Sequence, residues 1–227
     1  APAELLDPQP GERVLDLFEK TTGGRVILSV VKVGGVVRDI DASQMAEIVS
    51  VLDGIKGEYT QIMNTLLTDT SVKNRTVGVG HITTEDAAAL SMVGPFARAS
   101  NLPYDVRSFG RGAYGDLADF APITATEGDC YARVKVRCLE VLQSIEIIKE
   151  LGAKIPAGDI EVAVKGAPAD GAQASNVLEQ PRGECYYYAR GNGSKNLERM
   201  RMRTPTSQNL AGMTTALAGC DLADVNM

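Results

Sequence analysis

Two stretches of the chain carry a regular helical pattern of apolar residues. Between residues 41 and 68, apolar side chains recur at steps of three and four, which predicts an amphipathic helix with Asp41 as its N-cap. A second stripe follows Asp129 and ends near Gly152, and it predicts the clearest helix of the chain. This second stripe consists of Val134, Cys138, Val141, Leu142, Ile145, Ile148 and Leu151. Shorter helices are predicted at three places: from Asp7 and Pro8 to Thr22, over residues 83–93, and after Thr206 or Ser207.

β-Branched and aromatic residues predict extended segments elsewhere. The run RVILSVVKV (25–33) is typical of a strand or of an extended buried segment, and RTVGVGHI (75–82) is typical of a short extended segment. Two further runs, ECYYYAR (184–190) and LERMRMR (197–203), flank the turn GNGS, which predicts a β-hairpin. Arginine and methionine alternate along its second strand, so three arginines are expected on the solvent face: Arg199, Arg201 and Arg203.

The remaining long segments read as irregular chain. Residues 99–125 are rich in glycine, proline and aromatic residues, and residues 157–177 read as a loop with one strand at EVAV. No repeat or linker divides the sequence. The pattern therefore predicts one α+β domain over residues 1–227, mainly helical, with a β-hairpin or small sheet.

Composition narrows the function classes. The 23 basic and 29 acidic residues give a net charge of −6, which disfavours a nucleic-acid-binding protein because such domains are usually basic. No apolar run approaches the length of a membrane span. The four cysteines form no CxxC pair and are interpreted as buried free thiols. His81 is the only histidine, so a cage of histidine ligands is excluded within this sequence, and His81 is interpreted as a structural residue.

The two ends of the predicted hairpin carry the candidate site. Pro181 and Arg182 precede the first strand, and Pro205 and Thr206 follow the second. Because a hairpin brings its outer ends together, Arg182 and Thr206 are expected to be neighbours beside a helix N-terminus. A guanidinium and a hydroxyl in that setting suit a small anionic or cyanide-like ligand. Glu179 is expected either to orient Arg182 or to lie exposed.

The order of several segments resembles a known family. The chain resembles the large subunit of nickel–iron hydrogenases of the energy-converting, membrane-complex group, and it is similar to the related subunit in the quinone-reducing module of respiratory complex I. The hydrogenase branch is favoured by RMRMRTPT and SKNLER. The matching segments are RVLDLFEKTTGGRV, GGVVRDI, RTVGVGHITTEDAAALSMVGPFARASNLPYDVR, DCYARVKVRCLEVLQSIEIIKELGAKIP, PRGECYYYARGNGS and RMRMRTPTSQNLAGM.

The resemblance implies a cofactor and site residues. It implies a nickel–iron hydrogenase large-subunit-like core and, in the full-length protein, a nickel–iron centre with cyanide and carbon monoxide ligands held by two pairs of cysteines. Neither pair occurs here, so this chain is expected to be a fragment with no metal ligands and no cofactor of its own. Arg182 is implied as a catalytic residue. The implied cofactor-binding residues are Pro181, Arg182, Pro205 and Thr206.

The resemblance also implies partners and leaves functions open. The expected partners are an iron–sulfur small subunit and a membrane arm, with no nucleic acid and no direct membrane span. The expected location is cytoplasmic, peripheral on the inner face of the cell membrane. The first hypothesis is the catalytic subunit of an energy-converting hydrogenase. The alternatives are a metal-free or quinone-reductase (NADH dehydrogenase-like) subunit of a complex I-related assembly, and an interaction domain without chemistry.

Overall fold

The computed structural model describes residues 10–226. Within them the chain forms two compact units. The first takes the chain up to Asn64 together with Ile145–Lys165, and the second takes Thr65–Ser144 together with the chain from Gly166. Helices and small antiparallel sheets make up both units, so the mainly helical α+β class is confirmed. The single-domain interpretation stays a prediction. The predicted helix start at Asp7 and Pro8 lies outside the described residues.

The first unit is built on two helices and a very short hairpin. Helix α1 covers Pro10–Thr22 and helix α2 covers Ala42–Thr68, continuing into the second unit. The predicted N-cap of α2 is confirmed, because Asp41 accepts a hydrogen bond from the amide of Gln44 at 2.8 Å, while the Gln44 side chain accepts one from the Asp41 amide. Strands β1 (Val31–Lys32) and β2 (Gly35–Val36) pair antiparallel.

The strand predicted over residues 25–33 was wrong except at its end. Only Val31–Lys32 is strand, because Ser29 has a φ of 46° that interrupts extended backbone. Arg25 turns back instead to bind three carboxylates on α1. The strand predicted at EVAV is reduced to one bridge between Glu161 and Gly35.

Helices make up the first part of the second unit. Helix α3 covers Thr70–Thr76, α4 covers Thr84–Ala89, α5 covers Pro95–Arg98 and α6 covers Cys130–Gly152, which continues into the first unit. The predicted cap of α6 is confirmed, since Asp129 accepts from the Ala132 amide at 2.8 Å. Of the predicted stripe, Cys138 and Ile145 are buried, whereas Val141 and Ile148 are exposed; Ala132 and Val136, outside the stripe, are buried as well.

The extended segment predicted over residues 75–82 was wrong. Asp69 caps α3 by accepting from the Val72 amide at 2.9 Å, so the chain is helical as far as Thr76. Turns follow, with positive φ at Gly78 and Gly80. The predicted helix over residues 83–93 is confirmed only over Thr84–Ala89; beyond it Ser91 has a φ of 51°, which is not helical. The irregular region 99–125 is confirmed, and it holds two 3₁₀ turns at Val106–Phe109 and Gly112–Asp116.

A three-stranded antiparallel sheet completes the second unit. Strands β3 (Gln173–Gln180), β4 (Gly183–Gly191) and β5 (Leu197–Arg203) lie in that order, and the β4–β5 hairpin is confirmed with Tyr188 opposite Arg201. Strand β3 was missed because its sequence is polar and small. The β5 arginines are exposed, as predicted, but so are Met200 and Met202, since β5 is an edge strand without a cover on either face among the described residues.

Two short helices follow the sheet. Helix α7 covers Pro205–Gln208 and α8 covers Leu210–Leu217, and a 3₁₀ turn covers Leu222–Asn226. Thr206 or Ser207 was predicted to cap the final helix, which is α8, but its N-cap is Asn209 and the two predicted residues lie within α7. Helix α7 is capped by Thr204, whose hydroxyl accepts from the Ser207 amide, and Pro205 holds its first helical position. Among residues 10–226, no helix has both the length and the apolar character that a membrane span needs.

Candidate functional site

One cavity of about 270 Å³ in the second unit contains both ends of the hairpin. Arg182, in the turn between β3 and β4, and Thr206, in α7, both line it, as the hairpin predicts. Pro181 lies exposed in the same turn, and Pro205 is buried as the first residue of α7. The roles expected of these four residues stay predictions. The other cavity residues are Val79, Gly80, Phe96, Cys130, Arg133, Arg137, Asn209, Leu210, Met213, Ala216, Leu217, Cys220, Asp224 and Val225.

Helix α6 supplies two further arginines to the cavity. Arg133 is already engaged: it donates to the carbonyls of Gly128 and Gly80 at 3.1 and 2.9 Å and lies over the Phe96 ring at 4.8 Å. Arg137 and Arg182 have no hydrogen bond or ion pair to any residue between 10 and 226. Their donors are therefore free for a ligand or a further part of the protein.

The electrostatics of the cavity are strongly positive. Partial burial lowers the pKa of Arg137; the nearby Glu140 opposes this, and the guanidinium groups of Arg182 and Arg133 lower the pKa further. The acidic residue of the lining, Asp224, is paired with Arg75 at 3.2 Å. An electron-rich or anionic group is therefore the kind of ligand that this cavity favours.

Backbone packing places Arg182. Strands β3 and β4 are joined by Pro181 and Arg182 alone, since Gln180 pairs directly with Gly183. This turn lies against Gly94, where an ideal Cβ would stand only 2.2 Å from the Arg182 carbonyl oxygen. Gly94 has a φ of 70° and caps α5, so both its conformation and the contact require glycine.

Asn209 places the α7–α8 side of the cavity. Its side-chain oxygen accepts from the Val93 amide at 2.9 Å, and its amide nitrogen donates to the Val93 carbonyl at 3.0 Å. The two bonds mimic a strand pairing and fix the start of α8 beside the loop that precedes α5.

Replacing Asn209 with alanine is expected to lower the free energy of unfolding by about 2 kcal/mol, because the amide and carbonyl of the buried Val93 lose their partners. Urea unfolding of the whole protein measures this. Gln208→Ala is the control, since Gln208 donates only one exposed bond, to the Ser91 carbonyl, and should cost less than about 1 kcal/mol. Equal losses for both variants would contradict the bridging role of Asn209.

The four cysteines differ in burial and in their distance from the cavity. Cys130, Cys138 and Cys185 are buried, as predicted, and Cys220 is partly buried; among residues 10–226 none of the four forms a disulfide. Cys130 and Cys220 line the cavity, with Cys130 accepting from Arg133 at 3.0 Å. Within residues 10–226, no three histidine, cysteine, aspartate or glutamate side chains converge in a way that could hold a metal ion.

A buried ion cluster lies behind the site. The guanidinium of Arg98 bonds to Glu140 at 2.6 Å, to Glu179 at 2.9 Å and to the Tyr104 carbonyl at 3.0 Å, and it is 3.1 Å from Asp105. The Glu179 side chain is thus buried, so the exposed alternative was wrong, and among residues 10–226 it forms no hydrogen bond or ion pair with Arg182. Burial raises the pKa of Glu179, Arg98 opposes this, and Asp105 adds to it.

A fourth carboxylate, Glu184, extends this cluster toward the sheet edge. Glu184 binds the Tyr104 hydroxyl and Arg203. Burial, and then this hydrogen bond, raise the pKa of Tyr104 to about 12. Tyr104 therefore stays protonated at neutral pH and keeps its hydroxyl as a donor.

Sequence reasoning missed Arg133, Arg137 and Asn209. A signal for the first two was present: they stand four apart on α6, one turn after Cys130, and so share one face of the helix. Asn209 follows the PTSQ segment and gives no comparable signal, because its partner Val93 lies 116 residues away.

The chain matches one known family over almost its whole length. The model of the respiratory-chain NADH dehydrogenase 49 kDa subunit matches residues 9–169 and 162–227. The chain belongs to this 49 kDa subunit family. The match covers almost the whole sequence, and it includes every residue of the cavity lining.

Curated relatives of this 49 kDa family member carry several names. The chain is 33% identical over 224 residues to a subunit of the F(420)H(2) dehydrogenase of Methanosarcina mazei, and 32% identical over 221 residues to a subunit of the NADH-quinone oxidoreductase of Herpetosiphon aurantiacus. It is also 32% identical over 215 residues to the carbon monoxide-induced hydrogenase of Rhodospirillum rubrum. Each match covers 94% of this chain and 59% of the relative, so the chain spans about three-fifths of these proteins. The relatives are named as oxidoreductases or their subunits.

Proposed function

We propose that this chain forms part of the electron-acceptor site in the catalytic subunit of a complex I-related quinone oxidoreductase. The observation that carries the proposal is the pair of guanidinium groups without partners among residues 10–226, Arg137 and Arg182, in one cavity of a 49 kDa family member. Several relatives of this chain are named NADH-quinone oxidoreductase subunits, which supports the quinone class over other acceptors.

The cavity has the two surfaces that such an acceptor needs. Leu210, Met213 and Leu217 on α8 provide apolar surface for a ring or an alkyl chain. The polar surface comes from the guanidinium groups of Arg182 and Arg137 and from the Thr206 hydroxyl, which can donate hydrogen bonds to a carbonyl oxygen. As the acceptor is reduced, negative charge develops on that oxygen, and fixed cationic donors stabilise it more than they stabilise the neutral ground state.

An energy-converting hydrogenase is the second candidate. The hydrogenase relative from Rhodospirillum rubrum and the positions of Arg182 and Thr206 at one cavity favour it. The described residues do not supply the thiolate ligands of a nickel–iron centre, because their cysteines do not converge. In this candidate the chain contributes only surrounding donors, Arg182 and Thr206, to a centre held by other residues.

The proposed partners follow from the same family. An iron–sulfur subunit would deliver electrons, and a membrane arm would hold the assembly at the inner face of the cell membrane. Both belong to the proposal for the whole protein. This chain spans about three-fifths of the length of its relatives.

Metal analysis and activity of the whole complex separate the two candidates. With a reduced viologen as the artificial donor, the purified complex is expected to reduce a short-chain quinone, to evolve no hydrogen and to contain no stoichiometric nickel. Stoichiometric nickel together with hydrogen evolution and no quinone reduction would overturn the quinone proposal in favour of the hydrogenase. If neither activity is found in the intact complex, both candidates are wrong.

A further inference from the structure

We propose that Arg98, which lies outside the cavity, is a positioning residue that holds Arg137 and Arg182 at their working separation. The expected effect of Arg98 on catalysis rests on the proposed function. Its effect on the position of the two arginines can be measured without any activity. This role extends the site to a buried residue that touches no ligand.

Arg98 is a fixed point of the second unit. Its side chain is 1% exposed, and its donors reach Glu140, Glu179 and the Tyr104 carbonyl within 3.0 Å. Buried ion clusters of this kind contribute little net stability in many proteins, because desolvation offsets the attraction between the charges. Their better-supported effect is to allow one arrangement of the surrounding elements and to exclude others.

Two of the carboxylates around Arg98, Glu140 and Glu179, belong to the two elements that carry Arg137 and Arg182. Glu140 follows Arg137 by three residues on α6, so the two side chains lie one turn apart on the same rigid helix. Glu179 precedes Arg182 by three residues, at the last pairs of β3 before the tight turn. One guanidinium therefore ties α6 to the β3–β4 turn.

The short helix that bears Arg98 also touches the turn directly. Its N-cap, Gly94, packs its backbone against that of Arg182 and Gly183. Immediately before it, Val93 is paired with Asn209 of the cavity lining. Residues 93–98 thus hold three parts of the cavity from behind: α6, the β3–β4 turn and the start of α8.

Lysine cannot replace Arg98 in this role. The Nε atom of Arg98 donates to Glu140, while Nη1 donates to Glu179 and to the Tyr104 carbonyl, so the bonds leave a planar group in different directions. A lysine ammonium is a single point of charge on a flexible stem and cannot bond to both carboxylates with this geometry.

The test compares variants in the whole protein, assembled in its complex. Arg98→Lys is expected to raise amide hydrogen exchange about tenfold in peptides that contain residues 180–184, because a charge-assisted bond at the base of the turn is lost. It is expected to lower kcat for quinone reduction by about tenfold, with KM changed less than about threefold. In a protein that already carries Arg182→Lys, adding Arg98→Lys should lower kcat by no more than about twofold, because both substitutions act through the side chain at position 182.

Arg107→Lys is the matched control. Arg107 binds Asp105 of the same cluster and stacks on Phe120, but among residues 10–226 it donates no hydrogen bond to Glu140 or Glu179. It should lower thermal stability and leave exchange at residues 180–184 within about twofold of the parent protein. If Arg98→Lys does not assemble, Glu179→Gln replaces it, because it keeps the Arg98–Glu140 bond and should still raise exchange in the turn.

Unchanged exchange at residues 180–184 in Arg98→Lys or Glu179→Gln overturns the inference, as does an equal rise in Arg107→Lys. The proposed function fails separately: if Arg182→Lys leaves quinone reduction intact while Arg98→Lys loosens the turn, Arg98 positions the turn and the quinone proposal is wrong.

Discussion

Replacing Arg182 with alanine in the whole complex is expected to lower kcat for quinone reduction by about 10²- to 10³-fold, with KM changed by less than about tenfold. Arg182 has no partner among residues 10–226, so its donors are available for the acceptor oxygen as negative charge develops. Its contribution is then larger in the transition state than in the bound ground state, which is why kcat should fall more than KM rises. Steady-state kinetics with a short-chain quinone measure both constants.

Arg201→Ala is the control for the loss of one positive charge. Arg201 is an exposed residue of the edge strand β5 and does not line the cavity. Its removal should leave kcat within about twofold, because exposed charges are screened and surface substitutions are usually nearly neutral. Arg182→Lys should lie between the two, about tenfold below the parent protein, because it keeps the charge but loses the planar fork. Equal activity in Arg182→Ala and Arg201→Ala would remove Arg182 from the site.

The part of the site that could be predicted is the part that local sequence determines. The turn GNGS and the alternation of the flanking runs specify the hairpin, and a hairpin brings its outer ends together whatever surrounds it. That geometry alone places Arg182 and Thr206 at the same end of the sheet. The structure shows both in one cavity.

The elements and site residues that the sequence did not predict depend on tertiary packing. The run at residues 25–33 has high strand propensity, but ladders form only where a partner strand lies alongside, and Ser29 breaks the extension. Strand β3 shows the reverse case: its polar sequence QASNVLEQ predicts no strand, yet eight residues pair with β4. The buried Arg98 was not predicted either, because its four partners are separated from it by 6 to 81 residues.

Backbone contacts and buried charges outside the cavity therefore fix the position of its walls. The guanidinium groups of Arg137 and Arg182, which line it, have no partner among residues 10–226. Gly94 makes one of these close backbone approaches. The ideal Cβ position at Gly94 lies 2.2 Å from the Arg182 oxygen and 2.6 Å from the Cα of Gly183, and neither atom belongs to a flexible side chain. Relief would require the turn that carries Arg182 to move away from α5.

Replacing Gly94 with alanine is accordingly expected to lower the free energy of unfolding by more than about 3 kcal/mol and to reduce activity together with it. Two costs combine: the φ of 70° and ψ of −157° lie in a region that only glycine adopts readily, and the methyl group collides with backbone. Urea unfolding measures the first effect. Gly57→Ala is the control, since Gly57 lies within α2 with open space at its Cβ position and should gain up to about 1 kcal/mol in helix propensity. A Gly94→Ala protein as stable as the parent would show that α5 and the Arg182 turn are not in contact, and it would leave the position of Arg182 without a structural cause.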